Sequence, residues 1–90
     1  MVYVELEPNL SDCIETLARR AYEQTLSRVL EGEREGEDLS ERLELLRLFL
    51  ESTDFGDLRS RYERYLTDGK SVKFVIYPSG EKVSYEFTVQ

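Results

Sequence analysis

The chain has 90 residues, of which 40% are hydrophobic and 34% charged, and its formal net charge is −7. This composition is that of a globular protein and excludes a collagen-like or disordered chain. The negative charge disfavours nucleic acids and anionic membrane surfaces as partners, because both are bound through Lys and Arg. A length of 90 residues predicts one domain, residues 1–90, with a small core.

The sequence also predicts where the protein resides. No apolar run approaches the roughly 20 residues that span a bilayer, and the first residues lack the basic and apolar regions of a signal peptide. Cys13 is the single cysteine, so an internal disulfide is excluded, which agrees with a reducing compartment. We expect a cytoplasmic location.

The first third of the chain predicts a strand followed by a long helix. Residues 2–7 alternate apolar and polar side chains, which is the period of a half-buried strand. Asn9 is expected to cap the following helix through its side-chain oxygen. Apolar residues then recur at steps of three and four over residues 10–30, and Gly32 is the predicted helix stop.

The middle of the chain predicts an acidic linker and a second helix. Residues 31–41 read EGEREGEDLSE, and Asp38 followed by Glu41 resembles a capping box. The leucines and the phenylalanine of the next segment, residues 39–50, cover an arc of roughly 220° on a helix, which is wider than the apolar stripe of a surface helix. One sheet face cannot cover an arc of that width.

The last third predicts a third helix and a β-hairpin. Asp54 is the expected cap of the helix, and Gly69 its expected end. The alternating runs SVKFVIY and KVSYEFTVQ predict two strands, joined by a turn at residues 78–80. One face of the hairpin is predicted to carry Val72, Phe74, Ile76, Val83, Tyr85, Phe87 and Val89. The other is predicted to carry Val75 and Tyr77.

This order of elements predicts an α+β fold with a small three-stranded antiparallel or mixed sheet in β-ααα-ββ order. The two apolar strand faces and the wide apolar arc of the second helix exceed what a single copy can bury. We therefore predict an obligate homodimer that completes the sheet. Its interface is predicted to contain Leu45, Leu48, Phe49, Val75 and Tyr77.

Three stretches carry a resemblance to a known family: VYVELE at the start, EGEREGEDLSE in the middle and SVKFVIYPSGEKVSYEFTVQ at the end. With its length, charge and order of elements, the chain resembles a small acidic orphan-protein family of heat-loving archaea. Members of that family are α+β homodimers whose sheets take strands from both subunits. The resemblance rests on layout, since there is no signature motif. It implies an intertwined dimer, no assigned activity and no functional residue.

Catalysis has little support in the sequence. The chain contains no His, which removes the usual general base and the common zinc sites. Cys13 is expected on the apolar face of the first helix beside Leu10, Ile14 and Leu17, which favours a core thiol over a reactive one. The spacing of acidic residues in the linker resembles that of a calcium-binding loop. Arg42, however, stands at the twelfth position, where a bidentate Glu is required, so a solvated acidic loop is favoured. We predict no catalytic residue, no metal ligand and no cofactor.

Two hypotheses of function follow. The favoured one is a non-enzymatic acidic homodimer that docks on a basic partner protein. Its predicted contact patch consists of Glu31, Glu33, Glu35, Glu37, Asp38 and Glu41. The alternative is a small-molecule or divalent-metal-binding protein, with catalysis as an option, that uses Tyr3, Tyr77 and Tyr85 and nearby acids. Packing within the sheet is the favoured role of these tyrosines.

Overall fold

A computed structural model describes residues 2–32 and 37–90, with the side chains of residues 37 and 38 excepted. The elements of this part of the chain are β1 (Val4–Leu6), α1 (Ile14–Leu30), α2 (Glu37–Ser52), α3 (Phe55–Thr67), β2 (Val72–Ser79) and β3 (Lys82–Val89). The predicted α+β class and the β-ααα-ββ order are confirmed.

The three strands form one antiparallel sheet in the order β1-β2-β3. Val4 lies opposite Ile76, and Phe74 lies opposite Phe87. Residues that face each other across antiparallel strands share a sheet face, so this register confirms the predicted division of the hairpin. We call the face that carries Phe74 the inner face and the face that carries Val75 the outer face.

The hairpin turn is shorter than the sequence indicates. Pro78 and Ser79 belong to β2, and the turn consists of Gly80 and Glu81. Pro78 is tolerated because it lies beyond the last residue of β2 that pairs with β1, so its missing amide hydrogen costs no sheet hydrogen bond. Gly80 has φ of 63°, a conformation that glycine adopts without steric cost.

The helices pack on the inner face and bury its aromatic residues. Phe49 of α2 meets Phe55 and Tyr85 edge to face, with ring centroids 5.5 and 5.8 Å apart. Tyr62 of α3 meets Phe74 in the same way at 5.4 Å. Such pairs add to the stabilisation from apolar burial. The buried cluster comprises Val4, Ile14, Ala18, Leu45, Leu46, Phe49, Leu58, Tyr62, Val72, Phe74 and Ile76.

The start of α1 differs from the prediction. Asn9 accepts hydrogen bonds from the backbone amides of Ser11 and Asp12, both at 2.8 Å, so it caps a turn that precedes the helix. The helix begins only at Ile14. Leu10 therefore lies outside the helix and is 68% exposed, which corrects its predicted place on the apolar face.

The starts of the other helices were predicted with mixed success. α2 begins at Glu37, so Asp38 lies inside the helix and not at a capping position. The predicted cap of α3 is confirmed, since Asp54 Oδ1 accepts a hydrogen bond from the Asp57 amide at 3.1 Å. That bond satisfies one of the amides left free at a helix start.

The outer face of the sheet carries a mixture of polar and apolar side chains. Lys73 Nζ forms an ion pair with Glu5 at 3.0 Å, and the Tyr77 hydroxyl donates to Glu86 at 3.3 Å. Buried and less buried residues alternate along β2, which shows that the described helices cover the inner face alone. No helix in residues 2–32 and 37–90 is long and apolar enough to cross a membrane.

Candidate functional site

A groove of about 500 Å³ lies between α2 and the turn end of the β2–β3 hairpin, and we call it the α2–hairpin groove. Its lining residues are Val2, Ser40, Glu41, Glu44, Leu45, Leu48, Pro78, Gly80, Glu81 and Lys82. A second space of about 440 Å³ shares Leu48, Glu81 and Lys82 with it and extends to Ser52 and Val83. The two spaces share these three residues and therefore adjoin, and Lys82 and Val83 place them beside β3.

Helical spacing places the α2 side of the groove. Glu41 and Leu45 are four residues apart, as are Glu44 and Leu48, so these side chains lie one turn apart on neighbouring rows of α2. The opposite wall is the tight hairpin turn, which carries Glu81. Apolar leucines form the floor on the helix side, and carboxylates stand at the rim on both sides.

The rim is negatively charged. Glu41, Glu44 and Glu81 contribute three carboxylates against the ammonium group of Lys82. Hydrogen bonds from Arg47 hold the pKa of Glu44 below its ordinary value, so this carboxylate is ionised at neutral pH. Arg47 also binds Glu51 at 2.9 Å, so two carboxylates share its charge. An apolar floor with an acidic rim is suited to binding a cationic, partly apolar ligand.

The free edge of β3 lies next to the groove. Gln90 and Ser71 exchange two backbone hydrogen bonds, at 2.9 and 2.8 Å, directly beyond the last residues of the two strands. Because such pairs alternate along antiparallel strands, the even-numbered residues of β3 bond to β2 and the odd-numbered ones point outward. Val83, Tyr85 and Phe87 thus direct their amide and carbonyl groups to the free edge. In the described part of the chain, no strand pairs with this edge.

The five residues predicted for a dimer interface do not form one surface. Phe49 is 0% and Leu45 5% exposed, so both belong to the core of the protomer and have little surface to offer a second copy. Leu48 is half-buried in the α2–hairpin groove. Val75 and Tyr77 lie on the outer face, on the far side of the sheet.

The predicted acidic patch is only partly described. Glu31 is exposed directly after α1, and Glu41 is exposed at the rim of the groove. Glu33 and Glu35 lie outside the described residues, as do the side chains of Glu37 and Asp38. Glu41 is therefore the residue of the patch that the structure assigns to the groove.

The three tyrosines of the alternative hypothesis do not share one face of the sheet. Tyr85 lies opposite Ile76 on the inner face, where it packs against Phe49, whereas Tyr77 is on the outer face. Tyr3 precedes β1 and is 56% exposed. Among the residues that the structure describes, no group of three or more Cys, Asp or Glu side chains is arranged to hold a metal ion.

Cys13 is the N-cap residue of α1 and is half-buried, which corrects its predicted place in the core. Its thiol lies 3.2 Å from the hydroxyl of Thr16. The hydrogen bond with Thr16 lowers the pKa of Cys13, and bonds from nearby backbone amides act in the same direction.

Iodoacetamide is expected to alkylate Cys13 in the native protein without denaturant, because the thiol is reachable and its pKa is lowered. The rate should rise with pH and level off below the pH at which an ordinary thiol does. Mass spectrometry of timed samples measures this, with Cys13→Ser as the unlabelled control. Thr16→Val should shift the pH profile upward. Labelling seen only in urea would contradict the half-buried position of the thiol.

The groove was missed by sequence reasoning because its two walls are about 40 residues apart in the chain. The signal that pointed toward it was the wide apolar arc of α2. Leu48 lies on the part of this arc that the inner face of the sheet does not fully cover.

Comparisons with known proteins give one match. A model of an uncharacterised protein family matches residues 2–89. No curated protein and no solved structure matches the chain.

Proposed function

The chain belongs to the uncharacterised family whose model covers residues 2–89, and from that premise we propose that it is a non-enzymatic acidic homodimer that docks on a basic partner protein. The observation that carries the proposal is the unpaired edge of β3 beside an apolar groove with an acidic rim. A long unpaired strand edge is a template for another strand. A second copy of β3 is the simplest occupant.

The charges on β3 select one register for such a dimer. The odd-numbered residues of β3, whose amide and carbonyl groups point to the free edge, have to face odd-numbered residues of the second copy. The two numbers of each facing pair therefore add up to an even sum, and the twofold axis passes through a residue position. An axis at Ser84 places Lys82 opposite Glu86 of the partner subunit, and does so twice by symmetry. An axis at Glu86 would place two like charges opposite each other, which is unfavourable. We therefore assign the axis to Ser84, which gives a six-stranded antiparallel sheet.

Tyr77 supports this arrangement from the outer face. Its hydroxyl donates to Glu86 at 3.3 Å, which holds the carboxylate on the face where Lys82 of the partner subunit would lie. Of the residues predicted for the interface, Tyr77 contributes by holding the Glu86 carboxylate in place. Leu48 lines the groove and does not take part in this interface.

Docking on a basic partner follows from charge. Each copy carries a net charge of −7, so a dimer attracts cationic surfaces, speeds encounter with them and rejects acidic ones. We place the protein in the cytoplasm, where an unpaired Cys13 stays reduced. Immobilised protein should retain basic proteins from a cell lysate at low ionic strength and release them in high salt. An eluate without basic proteins would contradict the docking proposal.

A charge exchange on β3 tests the dimer. Lys82→Glu alone and Glu86→Lys alone each place two like-charged pairs across the seam, and each should weaken the dimer about threefold to thirtyfold. The double variant restores opposite charges and should recover most of the lost affinity. Sedimentation equilibrium over a range of protein concentrations measures all four dissociation constants.

The control is Glu23→Lys, an exposed charge change on α1, which should leave the dimer unaffected. A wild-type protein that sediments as a 10.6 kDa monomer at micromolar concentration would refute the dimer. A double variant that is no tighter than the single ones would refute the register.

A further inference from the structure

We propose that the α2–hairpin groove binds an amphipathic helix of the partner, one whose apolar stripe is flanked by Lys or Arg. This inference rests on the proposed function, which supplies a basic partner, and goes beyond it by naming the binding site and the kind of segment that fills it. Its basis is the combination of two adjoining spaces, an apolar floor and an acidic rim.

The apolar lining of the groove suits a helix. Val2, Leu45 and Pro78 line the larger space, Val83 lines the smaller one, and Leu48 lines both. An amphipathic helix places apolar anchors at i, i+3, i+4 and i+7, so successive anchors are about one turn apart. Two adjoining spaces that are both lined by apolar side chains can receive two such anchors from one helix.

The rim selects the charge of that helix. Glu41 and Glu44 stand on the α2 wall and Glu81 on the hairpin wall, so carboxylates lie on both sides of the apolar floor. Lys or Arg on both flanks of an apolar stripe complements this arrangement. Arg47 partly compensates Glu44, and Lys82 stands next to Glu81 on the hairpin wall, which leaves Glu41 as the main contributor.

The same charges argue against other occupants of the groove. The proposed dimer places the second copy at the edge of β3, and any further copy in the groove would bring carboxylates against the rim, since each copy carries a net charge of −7. An anionic membrane surface is repelled for the same reason. A basic helix is attracted and also covers the half-buried Leu48, so charge and apolar surface favour the same ligand.

A pair of synthetic peptides tests the inference. One is a fluorescent helix with Leu at i, i+3, i+4 and i+7 and Lys on both flanks, and the other has the same composition in scrambled order. Both are titrated with the full chain at low salt by fluorescence anisotropy. The patterned peptide should bind at least tenfold more tightly than the scrambled one, because only it presents a continuous apolar stripe.

Matched variants locate the binding site. Leu48→Ala should weaken binding of the patterned peptide about tenfold, and Leu30→Ala, a leucine that is 77% exposed at the end of α1, should leave it unchanged. Glu41→Lys should weaken binding at least threefold, whereas Glu23→Lys should change it less than twofold. Glu41 is exposed, so its variant tests the site even if Leu48→Ala alters the fold.

The outcomes separate the two proposals. If both peptides bind equally and the Leu48 and Leu30 variants are alike, the groove is refuted, while charge-driven docking stands. If neither peptide binds at low salt, docking on a basic partner is refuted as well. If Leu48→Ala converts a dimer to a monomer and leaves peptide binding intact, the groove is a contact between copies and the inference fails.

Discussion

Phe49→Ala is expected to lower the free energy of unfolding by about 3–5 kcal/mol. Phe49 is 0% exposed and packs edge to face against Phe55 and Tyr85, so its removal leaves a cavity between α2, α3 and the sheet. A loss of this size is a large part of the stability of a small domain. Urea denaturation followed by circular dichroism, at one fixed protein concentration, measures it.

Two further variants make this result interpretable. Leu30→Ala removes a leucine that is 77% exposed and should change stability by less than about 0.5 kcal/mol. Phe49→Leu retains most of the apolar volume, so its loss of unfolding free energy should lie between those of Phe49→Ala and Leu30→Ala. A Phe49→Ala loss no larger than that of Leu30→Ala would mean that Phe49 does not lie in the core.

Tyr62→Phe is expected to cost about 1–3 kcal/mol although it removes a single oxygen atom. Tyr62 is 1% exposed, and its hydroxyl accepts a hydrogen bond from the Ile14 amide at 2.9 Å. Ile14 is the first residue of α1, and the side chain of Cys13 forms no capping bond there. The variant leaves a buried amide without a partner. Urea denaturation measures the cost, with the exposed Tyr3→Phe as control.

The same hydroxyl makes stability depend on pH at the alkaline end. Burial raises the pKa of Tyr62 above its ordinary value of 10.0. Above pH 10, therefore, the unfolded chain releases a proton that the folded chain still holds, and stability falls as pH rises toward the raised pKa. Well below pH 10 both states hold the proton and this contribution is complete.

Tyr62→Phe lacks this ionisation, so its urea midpoint should fall less steeply than that of the wild type between pH of about 9 and about 11. The other tyrosines are common to both proteins and cancel in the comparison. Parallel slopes for the two proteins would show that Tyr62 titrates alike in the folded and unfolded states.

Sequence periodicity was sufficient for the order of elements and for the sheet. Alternation in residues 72–89 assigned the inner face correctly, because a period of two leaves only two choices. Local capping was read correctly at Asp54, whose partner Asp57 lies within one turn. The i and i+4 spacing of Arg59 and Glu63 also predicts an ion pair on α3, and the structure places their charged groups 2.8 Å apart.

Features that are built from residues far apart in the chain could not be predicted from local sequence patterns. The start of α1 was misplaced because its first amide, that of Ile14, donates a hydrogen bond to the Tyr62 hydroxyl. Tyr62 is on α3, 48 residues away in the chain. Tyr77 and Tyr85 were considered together for a pocket because both are aromatic, although alternation along the strands places them on opposite faces, as the register shows. The α2–hairpin groove combines segments that no local pattern links.

The pairing of β1 with β2 also bears on when the protein can fold. Val4 lies opposite Ile76, so β1 is synthesised 72 residues before the residues of β2 with which it pairs. At usual rates of translation this delay is roughly 4–14 s. During that time the apolar side chains of the early strand and of the helices have no sheet to cover them. The chain therefore cannot complete its fold before β2 has been synthesised, and until then it offers chaperones an apolar surface that the folded molecule conceals.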